Sequence, residues 1–278
     1  MNLPLILALF GAATAQRLTP VENQQLQSIC GTLPKESSRR LIYGGIPVSG
    51  ETAPFAIKIN FDQELCSGTI ISPRHILTAR HCIDRNPSRD NIVQKTDCSG
   101  ADQVHSVNSQ IIWPRLANDD LMPTKVTKLY VPNGCVADYQ EDDMLIVELN
   151  TDIHFSATAH PACILKDTNG VNTYSEVSLY SYGSTAFDRR VGKGHGQLQQ
   201  GTFRIEGAIH NGKQLQLHDP TDKFAARPGD SGGGYIRKLN GKSTLVAVHS
   251  SGADNPNLQY APFLPYYFKS ICEHTGVC

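Results

Sequence analysis

No stretch of this 278-residue chain reaches the roughly 18 consecutive apolar residues needed to cross a bilayer, so the mature protein is expected to carry no anchor. Neither sign of charge is in excess. With 25 Lys and Arg against 26 Asp and Glu the net charge is -1, which argues against nucleic acid or an anionic membrane as a partner. Metal chemistry is equally unsupported, because the ten histidines show no ligand spacing; His154 and His160, six apart in a polar stretch, read as surface. No cofactor motif occurs. An acceptor for N-glycosylation is missing too, since proline occupies the middle of Asn86-Pro87-Ser88 and no other Asn-x-Ser/Thr is present. Internal repeats, coiled-coil heptads and long low-complexity tracts are absent.

The chain opens with an apolar run, Leu3 to Phe10, followed by Ala12-Ala13-Thr14-Ala15. That A-x-A-like ending predicts a signal peptide over 1–15, cut before Gln16. Eight cysteines in such a chain point to an oxidising, extracellular compartment and an even disulfide set. From Gln16 to about Leu41 the sequence is polar and turn-prone, with the exposed dibasic stretch Ser37-Ser38-Arg39-Arg40 reading as a processing site. Beyond Ile42, short runs such as Ala56-Ile57-Lys58-Ile59, Ile70-Ile71, Val177-Ser178-Leu179-Tyr180 and Leu245-Val246-Ala247-Val248 alternate with Gly, Pro, Asn and Asp clusters, predicting an all-β barrel or sandwich.

The most informative stretch is Arg227-Pro228-Gly229-Asp230-Ser231-Gly232-Gly233-Gly234. A serine in such a turn becomes a nucleophile if a base and an orienting acid accompany it. His81, in Leu77-Thr78-Ala79-Arg80-His81-Cys82, supplies the base, and Asp143, which opens the apolar run Met144-Leu145-Ile146-Val147, supplies the acid. The order His, Asp, Ser is one of three in which such triads occur. Glycine at 229 lets the backbone turn an N–H toward a substrate carbonyl, so the N–H groups of Gly229 and Ser231 are the candidate oxyanion hole.

Together, T-A-R-H-C, D-M-L and G-D-S-G-G resemble the three signatures of the chymotrypsin/trypsin-like serine peptidases, over roughly Ile42 to Cys272. The resemblance implies two packed six-stranded antiparallel β-barrels, His81 and Asp143 in the first and Ser231 in the second, with a closing C-terminal helix over Pro265 to Cys272. It implies a propeptide over 16–41, a peptidase domain over 42–278, protein or peptide substrates, protein inhibitors, and a secreted monomer. It pairs Cys66 with Cys82 around the histidine loop and Cys30 with Cys163 as the tether of a cleaved propeptide. Proximity pairs Cys98 with Cys135 and Cys272 with Cys278. Activation in the family frees an N-terminal Ile whose ammonium pairs with the aspartate before the nucleophile, here Asp230, and Ile42-Tyr43-Gly44-Gly45 resembles that new terminus. A cut after Arg40 leaves Leu41 first, so Leu41 either serves or is trimmed. Because an α-amino group titrates near 8, the active state is expected to be lost at alkaline pH.

Several departures bear on specificity. Arg227 stands where typical members carry a pocket cysteine, and no cysteine follows Gly252 in the matching segment, so the pocket walls are not stapled. Where trypsin has its carboxylate, this chain has Ala225, which disfavours cleavage after Lys or Arg. Ser250 falls where the family's serine braces the triad aspartate, Ser251 replaces the usual tryptophan, and Gly252 belongs to the strand whose main chain pairs with substrate. His249 falls at the pocket base, where a histidine in the glutamyl endopeptidase branch binds a Glu or Gln side chain. It either reads an acidic or amide P1 group, carrying positive charge at mildly acidic pH, or hydrogen-bonds internally. The polar insert around Asn86 to Pro114 reads as an exposed loop shaping the cleft. The alternative to a peptidase is a catalytically weak or inactive binding protein on the same scaffold, suggested by Arg80 beside His81, the missing bridge and Gly234-Tyr235 after the nucleophile.

Overall fold

The computed structural model describes residues 17–32, 46–61, 64–84, 101–107, 112–116, 125–133, 142–184, 196–221, 224–254 and 257–278. In chain order its strands are β1 (Ile46–Pro47), β2 (Ala56–Phe61), β3 (Glu64–Ile70), β4 (His75–Thr78), β5 (Gln103–Ser106), β6 (Ile112–Arg115), β7 (Val126–Val131) and β8 (Leu145–Leu149). The second half contributes β9 (Cys163–Ile164), β10 (Glu176–Ser181), β11 (Gln199–Ile209), β12 (Gln214–His218), β13 (Gly234–Leu239), β14 (Lys242–Val248), β15 (Ser251–Asp254) and β16 (Asn257–Pro262). The helices are α1 (Pro20–Ile29), α2 (His81–Asp84) and α3 (Leu264–Thr275). No described helix is long and apolar enough to cross a membrane.

The strands form two sheets. One has seven strands in the order β5-β7-β8-β4-β3-β2-β6; the other has nine, running β15-β16-β12-β11-β10-β13-β14-β9 with β1 added beside β11. Pairing is antiparallel except for β9 beside β14. Each sheet exceeds six strands. In the second, the two-residue strands β1 and β9 account for part of the surplus; in the first, β5 and β6 come from the insert. That insert is therefore not simply a loop: Gln103–Ser106 pairs with β7 and Ile112–Arg115 with β2, so two of its segments extend the sheet's edges.

Strand β8 shows how the halves join. Leu145, Val147 and Leu149 pack into the first sheet's own core with Ile57, Ile59 and Leu129. The intervening Ile146, with Met144, packs instead with Phe55, Leu77, Tyr235 and the second sheet's interior. The period-two alternation of a strand thus turns one apolar run into a shared wall, which is why every residue of β8 is buried, Glu148 included.

Residues 20–29 correct the expectation of a polar, turn-prone stretch. Thr19 and Glu22 form a reciprocal capping box, with Glu22 N–H donating to Thr19 Oγ1 at 3.2 Å and Thr19 N–H to Glu22 Oε2 at 2.7 Å, and Pro20 occupies the first helical turn. Leu18, Leu26 and Cys30 are buried in the core of the second half, so a polar stretch gains a helix by burying three spaced apolar side chains. Arg74 of the first half pairs with Glu22 at 2.9 Å. Helix α3 ends at Gly276, whose φ of 74° suits glycine, and a Cβ there would lie 2.3 Å from the carbonyl oxygen of Leu18. Leu18 N–H in turn donates to Thr275 O at 2.8 Å, so the N-terminal segment and the C-terminus fasten each other.

Disulfides join Cys30 to Cys163, Cys66 to Cys82 and Cys272 to Cys278. Cys98 and Cys135 lie outside the described residues, as do the signal stretch 1–15 and Arg39, Arg40, Leu41 and Ile42.

Candidate active site

Strands β4 and β8 run antiparallel with Thr78 opposite Leu145. The chain leaves β4 and enters β8 at the same end of the sheet, so His81, just after β4, and Asp143, just before β8, become neighbours. Asp143 accepts the main-chain N–H of His81 at Oδ1, 2.8 Å away, while its Oδ2 lies 2.5 Å from His81 Nδ1. The hydroxyl of Ser250 donates to the same Oδ2 at 2.6 Å. A buried carboxylate accepting from Nδ1 fixes the proton there, which leaves Nε2 as an acceptor. That Nε2 lies 2.7 Å from Ser231 Oγ. The three residues from three separate stretches of sequence are thus joined in one hydrogen-bonded line, with Asp143 and His81 buried and Ser231 half-buried.

The serine's loop is anchored across the two halves. Ser67, in β3, donates its main-chain N–H to Ser231 O at 2.7 Å and its hydroxyl to Gly229 O at 2.8 Å, and the same hydroxyl accepts Tyr182 N–H at 2.9 Å. Gly232 N–H donates to His249 O at 2.8 Å and Gly233 N–H to Asp230 O at 2.9 Å. Gly229 has a φ of 100°, available to glycine alone, and a Cβ there would come within 3.0 Å of Gly183 Cα. The N–H groups of Gly229 and Ser231 donate to nothing among the described residues, as an oxyanion hole requires.

Asp230 points away from the nucleophile, into the protein. Its carboxylate accepts Gly183 N–H at 2.8 Å and Arg227 N–H at 2.6 Å, and it abuts Gly183 so closely that a Cβ there would lie 2.2 Å from Oδ1. Burial raises its pKa above the usual carboxylate value, against the lowering effect of those N–H donors. Its expected partner, Ile42, lies outside the described residues.

The pocket residues are less simply placed. Ala225 is half-buried and Gly252 exposed, on β15. His249 is buried, with Nδ1 3.1 Å from the hydroxyl of Tyr235. Burial, and next the charge of His81, push its pKa down to about 3. The positive imidazolium expected at mildly acidic pH is therefore not available, because desolvation outweighs the favourable Asp143 charge; any role in recognition falls to the neutral ring. Among the described residues no group of three or more His, Cys, Asp and Glu could hold a metal. His160, rather than being idle surface, contacts Ile29 O at 2.9 Å and so helps seat α1.

Three residues went unseen in the sequence: Ser67 carries no motif beyond following Cys66, Gln259 comes opposite Gly252 only through strand register, and Asp142 is hidden beside Asp143. Asp142 accepts from Lys213 Nζ at 2.9 Å, Tyr267 OH at 2.8 Å and Asn133 Nδ2 at 3.0 Å, tying the stretch before β8 to the second half and α3.

Known proteins resemble this chain in family and in fold. The nematode trypsin-6-like family matches residues 2–278. Venom serine protease 34 of Apis mellifera is 29% identical over 182 residues, which cover 61% of this chain and 40% of that protein, so the match spans less than half of the relative's length. The crystal structure of a scabies mite inactivated protease paralogue superposes with a TM-score of 0.63 at 17% identity, covering 83% of this chain and 97% of that one. The fold is thus the trypsin-like pair of β-barrels.

Proposed function

We propose, for a chain that belongs to the nematode trypsin-6-like family, that it is a secreted serine endopeptidase acting on protein substrates through Ser231, His81 and Asp143. One observation carries the reading: His81 places Nδ1 on Asp143 and Nε2 2.7 Å from Ser231 Oγ. Ser231 Oγ attacks the scissile carbonyl as His81 Nε2 takes its proton, and the resulting oxyanion is met by the N–H groups of Gly229 and Ser231. His81 then gives the proton to the leaving amine, and water hydrolyses the acyl-enzyme by the same steps in reverse roles. Asp143, braced by Ser250, stabilises the imidazolium formed on the way.

Residues 1–15 act as the signal and 16–41 as a propeptide that stays attached through Cys30 and Cys163 after the cut between Arg40 and Ile42. The new terminus folds in to pair with Asp230. With Ala225 at the pocket base, cleavage after Lys and Arg is poor, since either side chain would be desolvated without a counter-charge. The competing reading, a non-catalytic binding protein, draws on buried Arg80 beside His81. The activated protein should hydrolyse peptides, and Ser231→Ala should lower kcat on the order of a million-fold. A Ser231→Ala protein that keeps the wild-type rate would overturn the proposal.

A further inference from the structure

Gln259 lies directly opposite Gly252 where β15 pairs with β16. Opposite residues of an antiparallel pair carry their side chains on the same face, so Gln259 occupies the face on which position 252 would carry a side chain, beside the strand expected to pair with substrate. It fills the space beside Gly252: a Cβ on that glycine would lie 2.5 Å from Gln259 Oε1. The glutamine is 1% exposed.

Its amide has a fixed polarity. The main-chain carbonyl of Phe224, the residue before Ala225, can only accept, so Asn257 must turn Nδ2 toward it, at 2.8 Å. Asn257 Oδ1 is then the atom that meets Gln259, which donates Nε2 to it at 2.9 Å. Oε1 of Gln259 is left buried, and without a hydrogen-bond partner among the described residues. Buried acceptors are rarely left so, because an unmade hydrogen bond costs the full desolvation of the group.

Building on the reading of this cleft as a peptidase site, we propose that Gln259 is the specificity-determining residue of the pocket, and that it selects a P1 side chain with a neutral hydrogen-bond donor, glutamine foremost. A P1 amide N–H2 satisfies Oε1. A carboxylate would set its lone pairs against that oxygen, and neutral His249 offers it no positive charge. Lysine or arginine would enter without a counter-ion, and methionine, of nearly the same length as glutamine, has no donor at all.

The test uses the activated full chain and four peptides differing only in P1: Gln, Glu, Met and Lys. The wild type should show a kcat/KM for Gln at least about tenfold above the other three. Gln259→Leu should bring Gln level with Met, and Asn257→Ala, which frees the Gln259 amide to turn over, should close the gap between Gln and Glu. Should Gln259→Leu fail to fold, Asn257→Ala still decides. Wild-type rates equal for Gln and Met, a faster rate for Glu than for Gln, or an unchanged Gln preference in the foldable variants would overturn the proposal. Binding of product peptides ending in the same four residues to the Ser231→Ala protein needs no catalysis. A Gln preference there supports the role of Gln259 even if the wild type hydrolyses nothing, whereas hydrolysis without the preference refutes it and leaves the endopeptidase reading intact.

Discussion

Replacing Ser67 with alanine isolates what the first sheet does for the oxyanion hole. The hydroxyl of this buried residue links Tyr182 N–H, at 2.9 Å, to Gly229 O, at 2.8 Å, while its main-chain N–H holds Ser231 O independently of the side chain. The substitution leaves one buried N–H and one buried carbonyl unpaired, at about 1–3 kcal/mol each. Part of that is relieved if Gly229, freed at its carbonyl, shifts as a whole and changes φ as well as ψ, and such a shift carries the Gly229 N–H away from a developing oxyanion. Full loss of one such donor costs roughly 100- to 1000-fold in kcat. Since the Ser231 N–H stays in place, Ser67→Ala should lower kcat by about 10- to 100-fold with KM changed by less than about threefold, the pattern of an interaction made in the transition state. Steady-state hydrolysis of one peptide at a temperature well below the variant's unfolding midpoint measures this. A variant with a lowered Tm but a kcat within twofold of the wild type would refute the coupling between Ser67 and Gly229.

Other outcomes follow from single contacts. Ser250→Ala removes one of the donors to Asp143 Oδ2 and should cost about 1 kcal/mol or more of transition-state stabilisation, read as roughly a tenfold fall in kcat; an unchanged kcat would show that the bond to His81 suffices. His75 is buried, and burial, with the charges of Arg74 and Lys128, pushes its pKa down to about 3. Its neutral form stabilises the fold fully above pH 6.5, and that contribution is lost as pH falls from 6.5 toward 3 because the unfolded chain takes up the proton first, by about 2 kcal/mol at pH 5. Denaturant titrations of the wild type and His75→Gln should accordingly converge in their loss of stability only above pH 6.5; parallel curves down to pH 4 would count against it. Leu26→Ala should cost about 2–4 kcal/mol in the same assay, since α1 is packed into the core and not merely tethered. After cleavage at 40–42, non-reducing gels should show one band and reducing gels a lighter catalytic chain; separation without reductant would mean that Cys30 and Cys163 do not hold the pieces together.

What the sequence disclosed was chemistry carried by local motifs. Ser231 within glycines, His81 before Cys82 and Asp143 before an apolar run announce themselves because each role demands a residue type in a fixed local setting. Short runs such as Ala56 to Ile59 and Leu245 to Val248, set between turn residues, gave away their strands for the same reason. The helix at 20–29 was hidden because its apolar residues form no stripe: Val21 and Ile29 are exposed, only Leu26 within it is buried, with the flanking Leu18 and Cys30, and its stability comes from tertiary burial rather than from its own pattern. Strands β5 and β6 were hidden in a polar insert, as edge strands tend to be. Ser67 and Gln259 were invisible because their roles arise from pairing between distant strands, and the contact of Tyr235 with His249 was hidden for the same reason. The charge state of His249 could not be read either: residue type places a titrating group near neutrality, and only burial shows that it stays neutral.

The central claim, that Ser231 is an activated nucleophile, is tested most directly by labelling with a fluorophosphonate, which requires a working base and not merely a pocket. The activated wild type should be modified stoichiometrically at Ser231, with the adduct located by peptide mass mapping, and both His81→Ala and Ser231→Ala should remain unlabelled. An activated wild-type protein that resists the reagent, or a His81→Ala variant labelled as fast as the wild type, would contradict the account.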